Sequence, residues 1–260
     1  EQDETDGGNS HGHAREVRRR DTGSSTLTFV ATRTLTWLGH AAFRLDTPGG
    51  KRVYVDPWLG GNPSCPDAER EPERVDLIAL THGHSDHVGD TVALHKRLGC
   101  PVVAVVELRS WLAGQGVEAN GAHGGNKGGT IGVEGIRITF TDANHSSSAD
   151  GRYLGEPAGL VLQLEDGFTI YFAGDTNVFG DMALIRRIYE PDVAVLPIGD
   201  HYTMGPREAA VALELLGAPR CVPCHYGTFP LLTGTPDELR RLAPAGVEIL
   251  APAPGETVEV

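Results

Sequence analysis

One order of segments occurs twice along these 260 residues, and that repetition limits the fold more than any other feature. Each pass reads as a hairpin, an Asp at the hairpin's exit, a short apolar run, a loop, a helix closed by Gly, and another strand. In the first pass, segments 42–46 and 52–55 flank the Pro48-Gly49-Gly50 turn and lead to Asp56; Asp76-Leu77-Ile78-Ala79-Leu80 follows, and the helix stops at Gly99. In the second, segments 160–164 and 169–172 flank Glu165-Asp166-Gly167 and lead to Asp175; Asp192-Val193-Ala194-Val195-Leu196 follows, and a helix over 206–216 stops at Gly217. The offsets 175 − 56 = 119 and 192 − 76 = 116 nearly agree, which identifies an internal pseudo-duplication. The expected architecture is α+β: two similar β-rich halves with helices outside and their sheets packed face to face.

Smaller signals fill in this outline. The run at 77–80 has the continuous apolar character of a strand buried on both faces. The spacing predicts a helix over 88–98, a buried strand at 102–106, a short helix at 107–113, a Gly-rich loop at 121–129 and a strand at 136–141. Thr235-Pro236-Asp237-Glu238 carries an N-cap Thr, Pro at the first helical position and Glu at the third. Segments 247–250 and 257–260 are candidate closing strands. Residues 1–26 read as a disordered tail that includes His11 and His13, followed by one domain over 27–260.

The net charge of −13 argues against non-specific binding to nucleic acid or anionic membrane. It leaves an anionic substrate open, because bound cations dominate a local field. Cys65, Cys100, Cys221 and Cys224 have no disulfide-framework spacing, and the sequence shows neither a signal-peptide pattern nor a bilayer-length apolar run. The expectation is a cytoplasmic protein with a small-molecule substrate, no nucleic-acid or membrane partner, and self-association left open.

The chemistry is concentrated at His82-Gly83-His84-Ser85-Asp86-His87. This cluster leaves a buried strand and enters a helix, so a turn aims side chains that a regular strand would send to both faces. Imidazole and carboxylate suit Zn, Fe, Mn or Ni. Three more candidates each follow an apolar run: His145, Asp175 and His225.

With these residues assembled, the sequence resembles the metallo-β-lactamase superfamily. It is most similar to the UPF0173 family of metal-dependent hydrolases, itself related to the ascorbate-6-phosphate lactonase type. The matching runs extend from about Thr34 to the C-terminus. They include Thr36-Trp37-Leu38-Gly39-His40-Ala41-Ala42-Phe43, Asp56-Pro57-Trp58-Leu59, Thr81–His87, His145-Ser146-Ser147-Ser148, Ala173-Gly174-Asp175-Thr176, Leu196-Pro197-Ile198-Gly199-Asp200, Thr203-Met204-Gly205-Pro206 and His225-Tyr226-Gly227-Thr228-Phe229-Pro230. The resemblance implies an αββα sandwich, the metallo-hydrolase fold, with two divalent metal ions at one edge. Zn is the first expectation, with Mn, Fe or Ni as alternatives. It also implies that His82, His84 and His145 hold one ion, that Asp86, His87 and His225 hold the other, and that Asp175 bridges them. A hydroxide activated between two cations would then cleave a small ester, lactone or phosphoester. The alternatives are a nuclease or phosphodiesterase of the same fold, which the acidic charge disfavours, and a metal-binding or redox module without hydrolysis.

Catalytic roles beyond ligation fall to Asp86, as orienter of the nucleophile or proton carrier, and to His40. For His40 a substrate or metal-loop contact and a hydrogen-bonded core position weigh equally. Asp56 is expected to order the metal loop by hydrogen bonding. Asp200, His201 and Tyr202 are candidates for the substrate pocket, with His201 leaning to the surface, and Met204 and Phe229 are expected to shape it. Cys221 and Cys224, three apart on a strand, are expected to face opposite sides. His95 is expected at the surface, and His123 is undecided.

Overall fold

The computed structural model describes residues 32–118 and 121–260. The expected tail at 1–26, with His11 and His13, lies outside the described residues, as do 27–31 at the start of the expected domain. The first sheet begins with β1 (Thr34–Trp37), β2 (Phe43–Asp46) and β3 (Arg52–Val55), paired antiparallel. It continues in parallel with β4 (Leu77–Ala79), β5 (Val102–Val105) and β6 (Ala122–Gly125). In the second sheet, β7 (Thr130–Val133), β8 (Ile136–Asp142), β11 (Ala158–Gln163) and β12 (Thr169–Phe172) are antiparallel. Three parallel strands complete it: β13 (Val193–Pro197), β14 (Arg220–Cys224) and β15 (Glu248–Ile249). A two-stranded ribbon of β9 (Ser148–Ala149) and β10 (Arg152–Tyr153) interrupts the passage from β8 to β11, and β16 (Thr257–Glu259) pairs with β1.

The duplication predicted from the offsets is present strand for strand. Sheet one runs β16-β1-β2-β3-β4-β5-β6 and sheet two runs β7-β8-β11-β12-β13-β14-β15. Both sequences of neighbours are three antiparallel pairs followed by three parallel ones. Period-two patterning explains why the second sheet is buried on both faces. Leu160, Leu162, Ile170, Phe172, Val193, Val195 and Val222 point into a core shared with the first sheet. Val161, Tyr171, Ala194, Leu196 and Cys221 point into the opposite core, under the helices. Phe43 and Phe172 meet edge to face at 5.8 Å between the sheets. Burying one such side chain stabilises the fold by roughly 1.5–3 kcal/mol.

The helices are α1 (Ser85–Val88), α2 (Thr91–Leu98), α3 (Val106–Gly114), α4 (Met182–Tyr189), α5 (Pro206–Leu216) and α6 (Pro236–Leu242). Leu94, Leu108 and Leu112 of α2 and α3 join the first core. Met182, Ile185, Ala209, Leu213 and Leu239 of α4, α5 and α6 join the second. Thr235 caps α6 as predicted, accepting from the Glu238 N–H at 3.3 Å. Among the described residues no helix is long and apolar enough to cross a membrane.

Three details depart from expectation. The helix expected over 88–98 is broken, because Gly89 lies against the loop after Asp56. A Cβ there would come within 2.4 Å of Trp58 Cα, and its φ of 42° suits glycine. The loop expected at 121–129 contains β6, whose main chain completes the sheet edge beside β5. Helix α4, strongly amphipathic but only eight residues long, is not among the expected elements.

Candidate metal centre

The ends of equivalent strands converge on one edge of the sandwich. After β4 the chain turns through Thr81-His82-Gly83-His84 into α1, with His82 and His87 buried. Gly83 donates its N–H to Ser147 Oγ at 3.1 Å, tying this loop to the one after β8. Asp175 follows β12 through Gly174, whose φ of 62° and close approach to Thr81 (2.8 Å from a Cβ) exclude a side chain. Left-handed backbone at non-glycine residues collects here: His40 at 53°, Asp56 at 48° and His225 at 54°. Each costs on the order of 1–3 kcal/mol and is held by the packing around a working site.

The seven residues expected as ligands come together. Asp175 Oδ2 lies 3.3 Å from His87 Nε2, 3.2 Å from His225 Nε2 and 3.6 Å from His145 Nε2. His82 Nε2 and His84 Nδ1 are 3.0 Å apart. Three sets have all donor atoms within 4.8 Å of one another: His82, His84 and His145; His82, His87 and Asp175; and His40, Asp86, His87 and His225. Two donors each about 2.1 Å from a shared cation, at angles between square and tetrahedral, stand about 3.0–3.4 Å apart. His87 Nε2, Asp175 Oδ1 and His225 Nδ1 are buried with no hydrogen-bond partner. Such groups cost about 1–3 kcal/mol each unless something satisfies them. The donor set, its spacing and the bare His87 Nε2 and Asp175 Oδ1 fit divalent cations.

Outer contacts fix the rings. Asp56 Oδ2 accepts from His87 Nδ1 at 2.8 Å and from Thr81 Oγ1 at 2.6 Å, while its Oδ1 accepts from the Thr81 N–H at 2.9 Å. Thr81 Oγ1 in turn lies 3.0 Å from His82 Nδ1. Asp56 therefore orders two imidazoles, as expected for a residue that acts on the metal loop through hydrogen bonds. Burial holds His82, His84 and His145 below the usual histidine range, so they present neutral nitrogens. Burial acts the same way on His87, but Asp175 and Asp56 outweigh it and hold that ring well above its ordinary value. A cation bound between these groups would take the place of that proton. Burial of Asp175 is likewise outweighed by His87 and His225, which keep its carboxyl ionised.

A cleft of about 470 Å³ opens onto the cluster, with His84, Asp86, His145, Asp175 and His225 at its floor and Ser146, Ser148, Ala149, Asp150 and Tyr202 on its walls. The ribbon residues of this wall were not foreseen. Their signal was Asp150-Gly151, both left-handed at 50° and 74°, the turn that joins two paired strands through two residues. Of Asp200, His201 and Tyr202, only Tyr202 lines the cleft. Met204, expected to shape the pocket, is buried instead in the core under the second sheet. Phe229 is exposed, its ring centroid 5.6 Å from that of His40 and steeply inclined to it. His40 is buried against Asp86 and His225. His95, expected at the surface, is buried, because its two nitrogens bridge Cys100 O and the Glu118 N–H. His123 lies on the edge strand β6, away from the grouped donors. Cys221 and Cys224 face separate cores, as strand geometry requires.

Comparison with known proteins agrees with this geometry. Residues 51–226 match the model of the β-lactamase superfamily domain. A UPF0173 metal-dependent hydrolase of Herpetosiphon aurantiacus is 51% identical over 236 residues, covering 87% of this chain and 98% of the relative. Among solved structures, the metallo hydrolase Igni18 of Ignicoccus hospitalis has a TM-score of 0.78 at 34% identity, covering 88% of this chain and 98% of its own. An isothiocyanate hydrolase from Delia radicum gut bacteria has a TM-score of 0.65 at 25% identity, covering 86% and 98%. The chain belongs to the UPF0173 family of metal-dependent hydrolases, within the β-lactamase superfamily.

Proposed function

We propose that this chain hydrolyses a small electrophilic compound, an ester or lactone before a phosphoester, at a site holding two divalent cations, zinc first among them. The observation that carries this reading is the position of one buried carboxylate, Asp175, within 3.2–3.6 Å of imidazoles from three separate loops. His82, His84 and His145 would hold one cation and Asp86, His87 and His225 the other, with Asp175 serving both. When bound, such ions lower the pKa of water toward 7 and polarise a carbonyl or phosphoryl oxygen.

The chain's own groups supply the rest. Asp86 lines the cleft, partly exposed, and carries a proton toward the leaving group. Burial would raise its carboxyl, but contact with His40 and the nearby His87 outweigh it and keep it ionised. Tyr202 and Ala149 offer apolar walls, while Ser146, Ser148 and Asp150 offer hydroxyl and carboxylate groups. A wall with Asp150 on it suits an uncharged acyl compound better than a phosphoester or a nucleic acid. Similarity to an isothiocyanate hydrolase supports a small neutral electrophile. The four buried thiols, all free, suit a reducing compartment, the cytoplasm.

The test is turnover of zinc-loaded protein on a panel of lactones, esters, thioesters and phosphodiesters, with elemental analysis of the same sample. Two equivalents of metal and preference for neutral acyl substrates are expected. Metal binding without turnover of any member would defeat the reading. For Asp86, the Asp86→Asn variant should keep the fold and lose turnover; full turnover with unchanged metal content removes its proton role.

A further inference from the structure

We infer that His40 is a further protein ligand, beside Asp86, His87, His225 and the shared Asp175, of the second cation, an assignment that rests on the two-cation reading above. The pseudo-duplication points to it. β1 and β8 occupy the same place in their sheets, second from the edge. His145 stands three residues beyond the end of β8 (145 − 142) and His40 three beyond the end of β1 (40 − 37). His145 joins the His82 and His84 set; its counterpart in the other half joins the set at Asp86, His87 and His225. Duplicated halves facing one edge thus deliver one histidine each to two different donor sets.

Local geometry gives the same result independently. His40 Nε2 lies 3.0 Å from Asp86 Oδ2, the separation found between His82 Nε2 and His84 Nδ1. That is the spacing of two donors adjacent about one cation, about 3.0 Å for bonds of about 2.1 Å. The ring is immobilised as ligands are. Its backbone carbonyl accepts from Trp37 Nε1 at 2.9 Å and from the His225 N–H at 2.8 Å, and its ring lies 3.9 Å from that of His225. Its outer nitrogen, Nδ1, is 3.0 Å from Thr228 Oγ1, which reaches Tyr226 O at 3.5 Å. If Thr228 donates to Tyr226 O, it accepts from His40 Nδ1–H, as Thr81 does from His82 and Asp56 from His87. The Nε2 lone pair then faces the Asp86 carboxylate, and only a cation between them makes that contact attractive. In the rival arrangement Nε2–H donates to Asp86, and His40 merely positions it.

Protein labelled with ¹⁵N-histidine and loaded with two equivalents of ¹¹³Cd²⁺ distinguishes the two. A scalar coupling between cadmium and nitrogen marks each ligating ring. Six coupled rings are expected, with the sixth missing in His40→Gln. Titration of His40→Gln with Cd²⁺ should show one binding step weakened beyond the roughly 100-fold that an outer partner accounts for. Five coupled rings, with a proton on His40 Nε2, would overturn the assignment and leave the two-cation reading intact. No coupled ring would sink both. Should His40→Gln fail to fold, the wild-type spectrum still decides, with the His40 ring identified by its shift in Thr228→Val.

Discussion

Asp56 never faces the cleft, yet replacing it with Asn should cripple the metal centre. The substitution keeps shape and size, and Asn tolerates the left-handed φ of 48° found there. What changes is the number of acceptors. Asp56 accepts three hydrogen bonds: the Thr81 N–H on Oδ1, and Thr81 Oγ1 and His87 Nδ1 on Oδ2. An amide with its NH₂ at the Oδ2 position must donate there, so His87 has to give up its Nδ1 proton and carry it on Nε2 instead. That is the atom 3.3 Å from Asp175, where a cation is expected. Turning the amide over sets its NH₂ against the Thr81 N–H. Either orientation leaves a buried mismatch worth about 1–3 kcal/mol. At roughly 2–4 °C per kcal/mol for a domain this large, the melting temperature of the metal-free protein should fall by roughly 2–12 °C. Losing the tautomer control of a ligating histidine typically costs about 10–100-fold in metal affinity, or roughly 1.4–2.8 kcal/mol. Zinc competition against a chromophoric chelator, run beside thermal melts, reads both quantities. A folded Asp56→Asn that binds zinc as tightly as the wild type would refute the reasoning, because it would show that His87 needs no outer acceptor.

Four further outcomes follow from the same structure. Gly174→Ala places a Cβ 2.8 Å from Thr81 at a φ of 62°; it should lower stability by about 1–3 kcal/mol in a denaturant melt and release metal on dialysis. Gly89→Ala sets a Cβ 2.4 Å from Trp58 backbone and should destabilise comparably while disturbing the loop that carries Asp56. Burial pushes the Cys65 and Cys100 thiols up to about 11 and those of Cys221 and Cys224 higher still, so a chromogenic disulfide reagent at pH 7–9 should label none until the chain unfolds, and mild oxidation should leave Cys221 and Cys224 unlinked. Thr235→Ala removes the α6 cap and should cost roughly 1 kcal/mol with metal content unchanged.

The doubled architecture and most of the candidate metal centre were legible in the residues alone. A repeated hairpin, Asp and buried strand is a local pattern with a fixed offset, and strands of period two can bury both faces in only a few ways. The cluster from His82 to His87 was legible because all its donors lie in one turn. Asp56 and Asp175 were legible because each stands at the exit of a hairpin strand, the first directly after β3 and the second three residues after β12. What the sequence left open depends on distances between segments far apart in the chain. His40 read equally as core or site, since only folding brings it within 3.0 Å of Asp86, 46 residues away. Thr228 stood in a matching run without a role of its own, and only the loop after β14 brings it to His40, 188 residues distant. The break at Gly89 is dictated by Trp58 passing within contact of it, and the burial of His95 by Glu118 closing over it. Periodicity and motif spacing record local geometry; contacts between loops far apart in the chain are set by how the two sheets meet.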